Sequence, residues 1–461
     1  MTLVHTNLTR EPLGSRSPRA ALWLGLAVGC AAIAASVTVL WSTSRPMAAL
    51  VVALPLAVAL GVVALARFEW FVLAILLVRP ALDGMQSGTA IEPSALVGLV
   101  FLVAGGTWIA VQQRVGLLAV PSAPVIALSG LAVVAGLSAV GSDTPTASVT
   151  AALKIAAGVL MFVVVEQLLI QRRAFAGDLA IAFAVSLAVP ALAAVSQLFA
   201  GSGFGDELGL NRLRGTFVHP NPFATYLVML LLFSVALFPR LAGARRWLLL
   251  TTAATAGVLL LLTYTRSAWI AAVVGMAFLA WKQRPKLLWL IPAGVLVLLV
   301  LAPSVLQRFG DLNAPDPVPG YPANSAGWRL AYWTDLLPEG LKSPVTGVGI
   351  DSVRLTSTDG RMPHNLFVQS WVEMGLLGLL AALTVIVVTV IFVRSRLHAA
   401  EVGPDRAFAL AAAAVGLSLL VQMPSENLLT QGIVYWYGAV SLTIGYERGK
   451  APRPLPISVR P

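Results

Sequence analysis

"LLGLLAALTVIVVTVIFV", Leu376 to Val393, carries no charge and no proline. In hydrocarbon every backbone N–H and C=O must find its partner within the protein, which leaves the helix as the solution for a single run of this kind. About 20 apolar residues cross a bilayer, and runs of similar character recur along the chain. They lie at Ala20–Leu40, Met47–Ala66, Trp70–Val78, Ala95–Val111, Ala123–Val140, Val149–Ile170, Leu179–Ala200, Pro222–Phe238, Trp247–Leu262, Ala268–Trp281, Leu287–Val305, Leu366–Val393, Ala407–Met423 and Ile433–Tyr446. The third is short, and the tenth and fourteenth are marginal. Only 11% of the residues are charged, against roughly 25% in soluble domains. The fold class expected is therefore all-α: a polytopic integral membrane protein of 12–14 transmembrane helices.

The positive-inside rule gives these runs a direction. With the basic N-terminus in the cytoplasm and sides alternating, 20 of the 31 lysines and arginines fall on the cytoplasmic side. The N-terminal apolar stretch is too long for a signal-peptide h-region and is followed by no clear cleavage site, so it is expected to stay as a first span. Both termini are then cytoplasmic, with a tail at 447–461. The chain divides into an N-terminal transmembrane bundle over 1–200 and a second membrane region over 201–446. The latter carries one large structured extracytoplasmic loop, 306–364. In it "NSAGWRLAYWTDLLPEG" reads as a short helix N-capped by Ser325, with Trp328, Tyr332, Trp333 and Leu336 along one side. One basic pair, Arg212 and Arg214, lands outside against the rule, which marks it for another task.

A net charge of +11 is the sign that nucleic-acid binding needs, but the basic residues sit in short connectors and form no basic face, so no nucleic-acid partner is expected. A single cysteine, Cys30, excludes an intrachain disulfide. No metal-ligand spacing, P-loop or dinucleotide glycine fingerprint occurs, and G-x-S-x-G is absent. Neither a metal site nor a cofactor is expected.

Polar groups at membrane depth are by default functional candidates. "RMPHNLFVQSWVEMG" places His364 and Asn365 at the mouth of the apolar run, and Asn365, Gln369 and Glu373 recur at a spacing of four along one helix face. The pair has two readings, a helix cap or a site, because a neutral imidazole can take a proton from a hydroxyl. His219 stands at another helix entrance on the same side, in "RLRGTFVHPNPFATY". Arg266, in the very short turn "LLTYTRSAW", either snorkels or binds an anion; an arginine fork suits a phosphate.

Three stretches together, "RLRGTFVHPNPFATYL", "LLTYTRSAWIAAVVG" and "GWRLAYWTDLLPEGLKSPVTGVGIDS" with "RMPHNLFVQSWVEMGLLGLL", resemble the O-antigen ligase and polymerase family of bacterial membrane glycosyltransferases, over roughly residues 212–380. The resemblance implies a glycan donor on undecaprenyl pyrophosphate in the outer leaflet, a glycan or glycolipid hydroxyl as acceptor, membrane lipids as surroundings, a bacterial inner membrane and no metal ion. It implies that His364 deprotonates the acceptor and that Arg214 and Arg266 hold the pyrophosphate, with inversion at the anomeric carbon. The family has about twelve spans, so two of the weaker runs would be re-entrant or interfacial. Arg212 competes with Arg214, His219 is a possible second base, and Asn365, Gln369 and Glu373 are possible accessory residues.

Ligase and polymerase differ only in the acceptor. Two other readings stay open: a transporter or flippase for lipid-linked sugars, with Lys154 and Glu166 in the sixth run as its best support, and a peptidoglycan polymerase of the shape-and-division type.

Overall fold

The computed structural model describes residues 67–84, 93–205, 211–283, 325–357, 359–400 and 404–448, with Gly61 and Pro285 besides. Ala20–Leu40, Leu287–Val305 and all but one residue of Met47–Ala66 fall outside the described residues, as does the first part of the 306–364 loop. What is described is all-α, and its sheet is a two-residue antiparallel pairing, Phe204 opposite Arg212 and Gly205 opposite Asn211.

In chain order the helices are α1 (Phe68–Val78), α2 (Pro93–Arg114), α3 (Ala123–Val140), α4 (Pro145–Gln171), α5 (Phe175–Ser186), α6 (Ala188–Ala200), α7 (Pro220–Leu237), α8 (Gly243–Leu262), α9 (Arg266–Gln283), α10 (Ser325–Leu336), α11 (Val353–Thr356), α12 (Leu366–Ala399), α13 (Pro404–Gln422) and α14 (Gly432–Arg448). Counting α5 with α6 as one, seven of them are long and apolar enough to cross a membrane. The chain is a polytopic membrane protein.

Local chemistry sets the ends. Proline stands in the first turn of α3, α4 and α7, where its missing N–H costs nothing. The run at 179–200 is two helices, joined at Leu187, because Pro190 cannot donate to the carbonyl of Ser186. The short α1 passes into a 3-10 turn at Arg79–Leu82 and is buried along most of its length. Ser325 is the first residue of α10; the aromatic side of that helix is as expected, with Tyr332 and Leu336 packed on Val353, Val368 and Val372, and Trp328 and Trp333 beside them.

One core runs through the bundle, from Phe71 and Phe183 through Tyr226 and Phe233 to Trp436 and Tyr437, and it joins helices from both halves of the chain. The loops grouped on one side by the alternation of charge do meet. At one end Thr216 donates to the Pro80 carbonyl (2.6 Å) and Leu366 N–H to Met423 (2.9 Å). At the other, Arg172 pairs with Glu69 and Asp178. Glu166 is fully buried near that second end and accepts the Ser122 N–H (3.0 Å), which fixes the start of α3.

The long apolar helix α12 is broken once. Gly375 has φ 65° and ψ −161°, a conformation reserved for glycine. The loop segment Pro344–Gly349 lies in the break: Leu376 and Leu377 donate to the carbonyls of Pro344 and Val345 (2.8 and 3.2 Å), while Val348 and Gly349 donate to Val372 and Glu373 (3.1 and 2.9 Å). The groups freed by the break are thus paired again within the protein, as the membrane demands. The approach is so close that a Cβ on Gly347 would run into the Glu373–Met374 peptide.

Candidate functional site

The end of the bundle that gathers residues 201–205, 211–219, 263–265, 337–357, 359–365 and 423–431 holds nearly every polar residue singled out in the sequence. His364 closes the loop that follows α11. Its backbone is left-handed, φ 50°, and it is held there from both sides. Tyr332 donates through its hydroxyl to the Arg361 carbonyl (2.7 Å) and Trp333 through its indole to Pro363 (2.6 Å). On the other side Asn365 N-caps α12, its Oδ1 accepting from Phe367 and Val368 (2.9 and 3.2 Å). The cap reading and the site reading therefore apply to different residues: Asn365 caps, and the ring of His364 is left for other work. That ring stands edge-on to Trp328 at 6.2 Å, and Arg361 covers Trp328 at 4.9 Å.

The two histidines differ in their free nitrogen. His219 N-caps α7, and its Nδ1 accepts the Asn221 N–H (3.2 Å). A neutral ring so engaged carries its proton on Nε2 and presents a donor. His364 has Nδ1 3.3 Å from the Asn427 amide nitrogen, so Nε2 is the nitrogen it can present. Burial pulls the pKa of each down to about 3. For His364 the charges of Arg329, His219 and Arg361 add to the effect; for His219, those of Arg212, Arg329 and Arg214 do. Both rings are neutral at ordinary pH and lie in one positive field.

The arginines separate just as clearly. Arg212 is buried, donating through Nε to the Thr263 carbonyl (2.9 Å) and through one terminal nitrogen to Asn221 Oδ1 (3.0 Å) and Thr265 Oγ1 (3.1 Å). It clamps the 211–221 loop to the turn between α8 and α9. Arg214 is partly exposed, with a longer bond to the Val218 carbonyl (3.2 Å), while Gln197 pins its backbone and that of Gly215. Arg266 opens α9 and is partly exposed; its neighbour Ser267 donates to Glu426 (3.2 Å). Gln369 and Glu373 are buried beneath the loop, bonded to each other (2.9 Å), and Glu373 also accepts from the backbone of Asp351 and Val353.

Three contributors were not singled out from sequence. Arg329, on α10, acts on both histidines and on Glu426. Glu426 is buried in the α13–α14 turn, accepts from Asn221 (2.9 Å) and Ser267, and burial raises its pKa, opposed by Arg329 and by those two donors. Asn427 follows it. A carboxylate in "MPSENLL", between two apolar runs, was the available signal. Arg329 stands among aromatic residues in "GWRLAYW" and carries no separate mark in the sequence. Among the described residues no three His, Cys, Asp or Glu side chains gather as a metal-ligand set.

Arg214 and Arg329 act on His219, Arg329 and Arg361 act on His364, and Arg266 adjoins Ser267 at Glu426, the residue before Asn427. No curated protein sequence matches the chain. Residues 251–383, which carry Arg266, Arg329 and His364, match the family model described as O-antigen ligase, the family that the sequence motifs resemble.

Proposed function

We propose that the chain is a glycosyltransferase that moves a glycan from an undecaprenyl-pyrophosphate carrier to an acceptor hydroxyl, with its site on the extracytoplasmic face. The observation that carries this reading is that the stretch matching O-antigen ligase holds Arg266, Arg329 and His364, with the His364 ring edge-on to Trp328 and Arg361 over the same indole. His364 Nε2 removes the proton of the acceptor hydroxyl as its oxygen attacks the anomeric carbon. The bond from that carbon to the pyrophosphate breaks, and its electron pair leaves with the pyrophosphate. Arg214, Arg266 and Arg329 face the charge that develops there. Attack opposite the leaving group inverts the anomeric centre, and no metal ion takes part. The lipid-linked chemistry of the donor rests on the O-antigen ligase match.

The test is transfer from a defined undecaprenyl-pyrophosphate glycan in detergent with EDTA, for wild type, His364→Ala and Arg266→Ala. Transfer by wild type alone, with both variants folded, is the expected result. Donor binding without product in wild type would replace the enzyme with a carrier of lipid-linked glycans. Activity surviving in His364→Ala would remove the base.

A further inference from the structure

Asn427 lies in the α13–α14 turn and is 2% exposed. Its amide nitrogen is 3.3 Å from His364 Nδ1, and its Oδ1 is buried without a hydrogen-bond partner. The turn that carries it is tied to the histidine's own segment by Leu366 N–H to Met423 (2.9 Å) and by Thr430 Oγ1 against Met362 Sδ (3.9 Å). Thr430 also donates twice to the Asn427 carbonyl, from its N–H and its hydroxyl (both 3.2 Å). Ring and amide are therefore held in register by contacts that do not involve either of them. Asn427 stands outside the 251–383 family match.

We propose that Asn427 is a positioning residue, which holds His364 with its proton on Nδ1 so that Nε2 meets the acceptor hydroxyl. The inference rests on the transferase reading given above. An amide has the same shape with its oxygen and nitrogen exchanged, and only the hydrogen bonds distinguish the two. With Nδ2 towards the ring, Nδ1 must accept, the proton sits on Nε2, and neither nitrogen is free as a base. The imidazolium formed during transfer would then set N–H against N–H. With Oδ1 towards the ring, Nδ1–H has an acceptor before and after proton transfer, and Nε2 carries the free lone pair. The second orientation pairs the oxygen and leaves the amide nitrogen in its place, so the choice between the two rests on the ring. Base catalysis at Nε2 is compatible with that orientation alone.

The chain has four histidines, few enough for ring nitrogens to be assigned by NMR in the full-length protein labelled with ¹⁵N-histidine in lipid nanodiscs, using His364→Ala to identify the signal. The wild-type ring is expected with its proton on Nδ1, and Asn427→Leu with a population shifted to Nε2–H. In transfer, Asn427→Leu loses on the order of 100-fold in kcat, the low end for general-base catalysis, at an unchanged donor KM. Asn427→Asp keeps the acceptor oxygen and retains activity, with an acid limb moved to higher pH because a carboxylate now faces a ring otherwise surrounded by Arg329, Arg361 and His219. A wild-type ring protonated on Nε2, or wild-type kcat in Asn427→Leu, overturns the assignment. The ring spectrum decides it even where the leucine variant fails to fold. Absence of transfer in wild type would sink the transferase reading instead, and the spectrum would still report on Asn427.

Discussion

Glu373 accepts the backbone N–H of Asp351 at 2.9 Å, across the break in the helix that carries it. It also accepts from Val353 and from the Gln369 amide. These bonds fasten the loop that delivers His364 to the helix that follows it. The carboxylate is buried and engaged on both oxygens, which makes it a support for the site rather than a second base. Glu373→Ala leaves these donors buried and unpaired, at about 1–3 kcal/mol each. The expected outcome is a melting transition several degrees lower, with transfer at low temperature within about tenfold of wild type. Unchanged melting with transfer lost would return Glu373 to the chemistry.

The same logic separates the histidines. His219 caps α7 through Nδ1, a task that asparagine performs with its side-chain oxygen. His219→Asn should therefore transfer glycan at near the wild-type rate, whereas His364→Asn should fall by about 100-fold or more, the contribution of a general base. Equal losses in both would make His219 a participant.

Arg212 and Arg214 are two residues apart and differ in burial and in partners. Removing the Arg212 guanidinium leaves the Thr263 carbonyl and Asn221 Oδ1 without their charged donor, so Arg212→Gln should cost about 2–4 kcal/mol of stability. Arg214→Gln keeps the backbone bonds to Gln197 and should melt like wild type. Its donor KM should rise about tenfold, the worth of one exposed charge-assisted contact. Thermal denaturation and donor titration on the same two variants settle the assignment; the reverse pattern would make Arg212 the phosphate ligand.

Sequence alone could not make that choice, because two partners of Arg212, Thr263 and Thr265, lie more than fifty positions away. The apolar runs are a different matter. Ala123–Val140 is read to the residue, and the start at Leu366 likewise, since in a membrane the local pattern and the global environment demand the same helix. Departures occur where one residue overrides the pattern: Pro190 divides a run, and Gly375 breaks a helix that a smooth hydropathy profile shows as continuous. His364 is marked as a candidate in the sequence because it stands at a run's mouth. Asn427 carries no such mark, because its meaning depends on a ring 63 positions earlier in the chain.

The pH dependence tests the shared field directly. Burial, Arg329, His219 and Arg361 hold the His364 pKa down to about 3, below the ordinary 6.5. The base form is thus fully present at neutral pH, and protonation removes it only as pH falls towards 3. The stability effect has the same sign: between pH 6.5 and 3 the unfolded rings of His219 and His364 bind protons that the folded ones do not. Both therefore subtract stability as pH falls through that window and subtract none above it. The kcat/KM profile, which reports groups of the free enzyme, should be flat from pH 8 down to about 5. Arg329→Gln removes a positive charge that acts on both rings, so the pKa of each rises and the acid limb moves up towards 6.5. A wild-type limb already at 6.5, unmoved by Arg329→Gln, would show that α10 does not bring its arginine to the histidines, and the single charged site would have to be divided in two.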